Sequence, residues 1–147
     1  MRISARGEYA IRALLDLALN QGEGLRPIQD IAAHQAIPQR YLEQVLLQLK
    51  RAGFLQSKRG AAGGYRLSRP PDQITVGAVL RAVEGSAANA EGGRRGSAAP
   101  VEYSGELASL WREIDEAVSA VVDAVTLEDL KRRAQERRAG ARPMYHI

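Results

Sequence analysis

The chain of 147 residues contains no cysteine. A protein without thiols cannot form disulfides, use a thiolate as a nucleophile, or hold a metal or iron-sulfur centre through thiolate ligands. A hydrophobic run long enough to span a membrane is also missing, because the most apolar stretch, Ala10 to Asn20, is interrupted by Arg12 and Asp16. No signal-peptide pattern is present. These absences predict a cytoplasmic protein.

The sequence also lacks the arrangements that catalysis requires. It offers no recognisable pair of nucleophile and base, no phosphate-binding loop and no paired carboxylates, so we expect no enzyme. The two histidines, His34 and His146, do not have the spacing of a metal site. Both are expected on the surface, and no metal or cofactor is predicted.

The net positive charge is concentrated in the first half of the chain, because the second half has more acidic than basic residues. Residues 1–70 carry eleven Lys and Arg against five Asp and Glu, whereas residues 71–147 carry ten against twelve. A basic half favours polyanionic partners such as nucleic acid or an anionic membrane surface, although similar excesses occur on ordinary soluble surfaces.

The sequence of the basic half predicts three helices. Ser4 can cap the first, which runs to about Asn20 and presents an apolar face of Tyr9, Ile11, Leu14, Leu15, Ala18 and Leu19. After a turn at residues 21–25, a short second helix starts near Pro27 and directs Ile28, Ile31 and Ala32 inward. The third runs from Pro38 to about Ala52, where Gly53 stops it. Two helices joined by a short turn predict a helix-turn-helix.

The third helix is followed by a glycine-rich basic hairpin. Strand-like residues 54–58 and 64–68 flank a loop in which Gly60, Gly63 and Gly64 permit tight backbone conformations. Lys58, Arg59 and Arg66 add positive charge to the same hairpin. The hairpin is therefore predicted to be the wing of a winged helix-turn-helix, and the alternative is an ordinary basic hairpin tip.

The second half is predicted to contain a short helix, a loop and two more helices. Thr75 caps residues 76–84, and residues 85–100, which have no large apolar side chain, are predicted to be a mobile loop. Thr126 and Asp129 form a capping signal for a last, basic helix. The predicted organisation is a winged domain at 1–84, a flexible loop at 85–101, two helices at 102–138 and a tail at 139–147.

A long helix from about Tyr103 to Val125, about 35 Å in length, carries a continuous apolar stripe. The stripe consists of Leu107, Leu110, Trp111, Ile114, Val118, Val121, Val122 and Val125. It could pack back on its own domain. We favour a homodimer seam, because a single winged domain seldom binds DNA tightly alone.

The third helix has one apolar and one polar face. Leu42, Val45, Leu46 and Leu49 recur at helical spacing and are predicted to point inward. The opposite face begins with groups that can read base edges in a major groove, namely Gln39, Arg40, Glu43 and Gln44. A carboxylate near phosphates is unfavourable unless it reads a base or braces an arginine, but Glu43 could equally be a surface charge near the helix dipole.

Further positive groups flank this face. Lys50, Arg51, Lys58 and Arg66 are predicted to contact phosphates, and Arg59 at the wing tip is the candidate for a minor groove. The Tyr65 hydroxyl could bind a phosphate, or the ring could pack within the hairpin.

These residues carry a resemblance to a known family. The segments MRISARGEYAIRALLDLA, IAAHQAIPQRYLEQVLLQLKRAGFLQSKRGAAGGYRLSRP and ITVGAVLRAVEG, with Leu110-Trp111, resemble the IscR/NsrR/CymR-type bacterial winged-helix regulators from Met1 to about Val125. The resemblance implies a mainly helical, homodimeric transcription factor joined by its long helix. It also implies that Glu43 and its neighbours enter a major groove, and that Arg59 lies in a minor groove.

The chain departs from the family's pattern at one place. Cluster-binding members have three cysteines around the loop matching residues 85–100, and some add a ligand near Ala108. The corresponding residues of this chain include no cysteine, so iron-sulfur sensing is not transferable.

Two hypotheses follow. The first is a dimeric, sequence-specific DNA-binding regulator, acting as a repressor on a palindromic operator and responding to a small-molecule or protein effector. The second is a winged-helix module for protein partners that lacks sequence-specific DNA binding.

Overall fold

The structure is a computed structural model that describes residues 4–90 and 105–141. These residues form a mainly helical fold with a small antiparallel sheet, as predicted. The α-helices are α1 (Ala5–Leu19), α2 (Ile28–Gln35), α3 (Gln39–Arg51), α4 (Val76–Ala90), α5 (Glu106–Ala124) and α6 (Leu127–Ala141). The strands are β1 (Leu55–Lys58) and β2 (Gly64–Leu67), and short 3-10 turns occur at Gln21–Glu23 and Pro71–Gln73.

The core lies where α1 packs against α2, α3, α4 and α6. Its fully buried side chains include Leu14, Ile31, Leu42, Leu46, Leu49, Ile74 and Leu127. Ser4 caps α1 as predicted, because its hydroxyl accepts a hydrogen bond from the Gly7 N–H at 3.1 Å.

The predicted apolar face of α1 is only partly correct. Leu14 and Ala18 are buried, but Tyr9, Ile11, Leu15 and Leu19 are only half-buried. The buried positions also include the small residues Ala10 and Ala13, together with Leu17. Helices pack against α1 on several sides, so no single stripe of large residues defines its buried surface.

The helix-turn-helix has the predicted bounds to within one or two residues. Ile31 is buried, Ile28 and Ala32 pack against the core at its edge, and α2 ends at Ala36 in a left-handed conformation. The Ile37 N–H then donates to the Ala32 carbonyl at 3.0 Å, which closes the turn before α3.

The fourth helix is longer than predicted. The Thr75 hydroxyl accepts a hydrogen bond from the Ala78 N–H at 3.1 Å, as the capping prediction requires. However, α4 continues to Ala90, so residues 85–90 are helical and do not belong to the predicted loop. Small residues, alanine above all, are compatible with a helix. The rest of the predicted loop, from residue 91, lies outside the described residues.

The last two helices return to the winged domain. The Val76 N–H donates to the Val125 carbonyl and the Leu127 N–H to the Ile74 carbonyl, both at 2.9 Å, so the α5–α6 junction pairs with the segment before α4. The predicted capping box is present: the Thr126 N–H donates to Asp129 Oδ2 at 2.9 Å and the Asp129 N–H to the Thr126 hydroxyl at 3.1 Å. Gly140 and Ala141 are still helical, beyond the predicted start of the tail at residue 139.

Helix α5 is shorter than the predicted span. It begins at Glu106 and its 19 residues are about 28 Å long. The first predicted residues, Tyr103 and Ser104, lie outside the described residues. None of the helices in the described part of the chain is long and apolar enough to cross a membrane.

Candidate nucleic-acid interface

Helix α3 divides cleanly into a buried and an exposed face. Its buried residues are Leu42, Val45, Leu46 and Leu49, as predicted. The residues predicted to read bases, Gln39, Arg40, Glu43 and Gln44, are all exposed, and so are Lys50 and Arg51. The apolar face therefore fixes the orientation of the helix, and its polar face is left for another molecule.

The wing is a four-pair antiparallel hairpin. Its register pairs Leu55 with Leu67 and Lys58 with Gly64, and the Gly63 N–H donates to the Gly60 carbonyl at 2.9 Å within the turn. A Cβ on Gly63 would overlap the Lys58 carbonyl oxygen. The turn therefore requires glycine at this position, and it leaves Lys58, Arg59 and Gly60 exposed at the tip.

An open cleft of about 650 Å³ lies between α3 and the wing. Among the predicted site residues, those lining the cleft are Glu43, Lys50, Lys58, Arg59, Gly60, Gly63, Gly64 and Tyr65. Residues from two separate elements thus share one concave surface. Glu43 is the only carboxylate in this lining, against the three cations Lys50, Lys58 and Arg59. The surface is suited to a polyanion.

Lys50, Lys58 and Arg59 form no ion pair with any residue in the ranges 4–90 and 105–141. The salt bridges found there include those of Arg26, Arg81 and Arg132, and none involves Lys50, Lys58 or Arg59. Cations without carboxylate partners can neutralise phosphates without first breaking a bond within the protein.

The other predicted residues lie outside the cleft. Arg66 Nε donates to Gln56 Oε1 across the hairpin at 3.1 Å, and the Arg40 guanidinium lies 5.4 Å from the centre of the Tyr41 ring. Gln44 lines a second cavity, of about 450 Å³, between α1 and α3. Gln39 and Arg51 are exposed at opposite ends of α3 and line neither cavity.

Sequence reasoning did not include some residues of this surface. Ser57 and Gln29 line the cleft, and the exposed Tyr41 lies beside Gln44 in the second cavity with Arg6. Leu47, which helical spacing places on the outer face of α3, also lines the cleft. The contribution of Gln29 depends on how α2 packs beside the wing, which no local pattern discloses.

Tyr65 packs within the fold. Its ring is partly buried against the hydrophobic core. Of the two roles predicted for Tyr65, phosphate binding and packing, the structure favours packing. Tyr65 also contributes to the wall of the cleft.

His34 is on the surface, as expected, but it is hydrogen-bonded. Its side chain is 60% exposed, yet its Nδ1 lies 2.6 Å from Arg26 Nη2. His146 lies outside the described residues.

The chain does not have the ligands of an iron-sulfur centre. It contains no cysteine, and Ala108, near the start of α5, has no group that can bind iron. Within the ranges that the structure describes, no group of three or more His, Asp or Glu side chains could hold a metal ion. The residues present therefore do not fit a thiolate-bound cluster.

A helix-turn-helix, a glycine-rich wing and a basic cleft between them define a winged helix-turn-helix DNA-binding transcriptional regulator. A family model described as "Iron-dependent Transcriptional regulator", Rrf2, matches residues 3–133. The chain belongs to the Rrf2 family, whose members named among its relatives are regulators and not enzymes.

Individual relatives agree with this assignment. The chain is 37% identical over 134 residues to the HTH-type transcriptional regulator IscR of Aliivibrio salmonicida, covering 88% of this chain and 77% of the relative. It is 38% identical over 130 residues to the regulator CymR of Bacillus subtilis, covering 88% and 89%. The solved structure of T. potens IscR has a TM-score of 0.76 and 33% identity, covering 94% of this chain and 91% of the other. These relatives favour DNA binding over the protein-interaction module.

Proposed function

We propose that the protein binds a palindromic operator as a homodimer and represses transcription by occluding the promoter. Each protomer would insert the N-terminal half of α3 into a major groove and the wing tip into the adjacent minor groove. The observation that carries this proposal is the continuous cleft that joins Glu43 and Lys50 of α3 to Lys58 and Arg59 of the wing.

The chemistry of α3 supports base reading. An arginine can bind guanine through two hydrogen bonds, a glutamine can bind adenine in the same way, and a carboxylate accepts from the cytosine amino group. Arg40, Gln39, Gln44 and Glu43 supply these groups on the exposed face. Lys50, Arg51, Lys58 and Arg66 would contact phosphates, and Arg59 would enter a narrow minor groove, where the negative potential is strongest.

The exposed stripe of α5 supports the homodimer. Leu107, Leu110, Ile114 and Val121 are between 37% and 63% exposed, whereas Val122 is the buried residue of the helix. Large exposed apolar patches are characteristic of interaction surfaces. A second copy of the same helix offers a matching apolar stripe, and a two-fold dimer explains why the operator would be palindromic.

Symmetry indicates how the two helices would pair. In a two-fold antiparallel pair, the N-terminal half of one α5 lies against the C-terminal half of the other. The C-terminal half borders a mainly apolar groove of about 290 Å³. Its apolar lining includes Ile11, Leu80, Val121, Val122, Val125 and Leu130, and Glu8, Arg12 and Arg133 also line it. The partner's Leu107, Leu110 and Ile114 would fill this groove, so that each α5 also contacts the winged domain of the other protomer.

The signal that controls DNA binding would differ from that of the cluster-binding relatives. Because the chain has no cysteine, a small molecule or a partner protein would control DNA binding. The protein would work in the cytoplasm, where the bacterial chromosome lies.

Selection from a random duplex library, using the metal-free protein, tests the proposal. We expect a palindromic consensus, and light scattering should give two protomers per bound duplex. Recovery of no consensus, or of an asymmetric site bound by one protomer, would contradict it.

A further inference from the structure

Arg26 is buried although it lies in the segment between α1 and α2. The residue is 9% exposed, and its Nε donates to Oδ2 of Asp16 at 2.8 Å. Asp16 is itself 2% exposed, and its Oδ1 accepts from Gln35 Nε2 at 3.3 Å. His34 Nδ1 lies 2.6 Å from Arg26 Nη2. The guanidinium is thus fixed by groups from α1 and α2.

The main chain of the same residue holds the wing. The Arg26 N–H donates to the Tyr65 carbonyl and the Tyr65 N–H donates to the Arg26 carbonyl, both at 2.8 Å. Gly64, the first residue of β2, approaches so closely that a Cβ there would lie 2.5 Å from the Arg26 carbonyl carbon and oxygen. Arg26 therefore pairs with β2 on the side opposite β1, like one residue of a third strand.

We propose that Arg26 is a positioning residue for DNA binding, which sets the wing at a defined distance from α3 through its buried contact with Asp16. The inference rests on the proposed role of Arg59 at the wing tip. Asp16 holds the Arg26 side chain, the Arg26 main chain holds Tyr65, and β2 leads from Tyr65 to the tip of the hairpin.

The physics of the two elements explains why such an anchor is needed. A two-stranded hairpin with four residues in each strand is marginally stable alone, so its orientation depends on what it packs against. A buried ion pair adds little stability compared with apolar residues of similar volume, because both charges lose hydration. Its hydrogen bonds are directional, however, and here they determine where the Arg26 backbone lies.

Hydrogen exchange of single amides in the free protein tests the anchor directly. In Arg26→Met, the Tyr65 amide should exchange faster by about tenfold or more, the size implied by losing a hydrogen bond to a charged group. The Leu46 amide in α3 should change much less. Equal acceleration at both amides would mean that Arg26 only stabilises the domain, and would overturn the proposal.

Three further variants complete this test. Asp16→Asn should accelerate exchange of the Tyr65 amide as Arg26→Met does. If the methionine variant does not fold, Asp16→Asn gives the same comparison between the Tyr65 and Leu46 amides. Arg26→Lys keeps a cation for Asp16 and should recover most of the protection; a lysine variant as labile as the methionine variant would overturn the assignment to the ion pair. Arg81→Met is the matched control, because it removes an arginine from the exposed 2.7 Å pair with Asp123 and should leave Tyr65 unchanged.

A double-mutant cycle links the anchor to DNA binding. On a duplex selected by the wild-type protein, Arg26→Met and Arg59→Ala should each weaken binding, and together they should weaken it by less than the product of their separate factors. Independent effects would overturn the positioning role. If the wild-type protein selects no duplex, the proposed function fails, whereas the exchange of Tyr65 still decides whether Arg26 holds the wing.

Discussion

Helices α3 and α5 are both amphipathic, but they expose opposite kinds of face. Helix α3 buries Leu42, Leu46 and Leu49 completely and leaves polar and charged side chains in solvent. Helix α5 buries Val122 and exposes most of its large apolar residues, including Leu110 and Val121. The polar exposed face suits a nucleic acid and the apolar exposed face suits a protein, so under the proposed function the same helical periodicity would serve two different partners.

Truncation within α3 should give the largest effect. Leu46→Ala removes a fully buried side chain and should lower the free energy of unfolding by about 3 kcal/mol, because it loses buried apolar surface and leaves a cavity. The neighbouring Leu47 is 47% exposed, and Leu47→Ala should change the free energy by no more than about 0.5 kcal/mol. Urea denaturation measures both. Similar losses for the two variants would mean that the faces of α3 are wrongly assigned.

A charge on the apolar stripe of α5 should dissociate the proposed dimer. Val121→Asp or Val118→Asp would put a carboxylate in the apolar seam, where a desolvated charge without a partner is costly. Sedimentation should then show a monomer at micromolar concentration. Ala120→Asp adds the same charge to an exposed position off the stripe and should leave the dimer intact. A dimer that persists in Val121→Asp would place the seam elsewhere.

A carboxylate on α3 should affect which sequence is bound. Glu43→Ala should lower the discrimination at one base position by about 1–3 kcal/mol while changing affinity for random duplex much less. Selection with the variant measures this preference, and Glu136→Ala on α6 removes a carboxylate away from the cleft as a control. An unchanged consensus would show that Glu43 does not read a base.

The smallest expected effect concerns the cap of α6. Hydrogen bonds from the backbone and side chain of Thr126, with Arg132 nearby, hold the pKa of Asp129 below its usual value. A depressed folded-state pKa stabilises the fold above the unfolded pKa, and this contribution is lost as the pH falls through the folded pKa. The stability difference between wild type and Asp129→Asn should therefore be present at pH 7 and shrink below about pH 3.9.

Denaturation at a series of pH values checks this prediction. Glu136→Gln, at an exposed carboxylate of the same helix, is the control and should give no comparable pH-dependent difference. A difference between wild type and Asp129→Asn that stays constant down to pH 3 would contradict the charged cap.

Features set by neighbouring residues could be predicted from the sequence. The inward face of α3 follows from apolar spacing, and the cap at Thr126 and Asp129 follows from two residues three apart. The predicted end of α4 is wrong. The lack of large side chains at residues 85–90 indicates a loop, but alanine and serine do not prevent a helix.

Features set by tertiary contacts could not be predicted. The buried face of α1 depends on which helices surround it, and no stripe in its own sequence reports them. The Asp16–Arg26 pair joins residues ten apart on two elements, so no periodicity marks it. The same applies to the cleft, which Glu43 and Arg59 both line only because the wing folds back beside α3.

Loss of the Arg59 side chain tests most directly whether α3 and the wing form one DNA-reading surface. Fluorescence anisotropy across a salt series, on a duplex selected by the wild-type protein, compares Arg59→Ala with Arg137→Ala, which removes an exposed arginine of α6 away from the cleft. We expect weaker binding for Arg59→Ala and a slope of log affinity against log salt that is shallower by about one. An affinity and slope equal to those of the wild type would contradict this prediction.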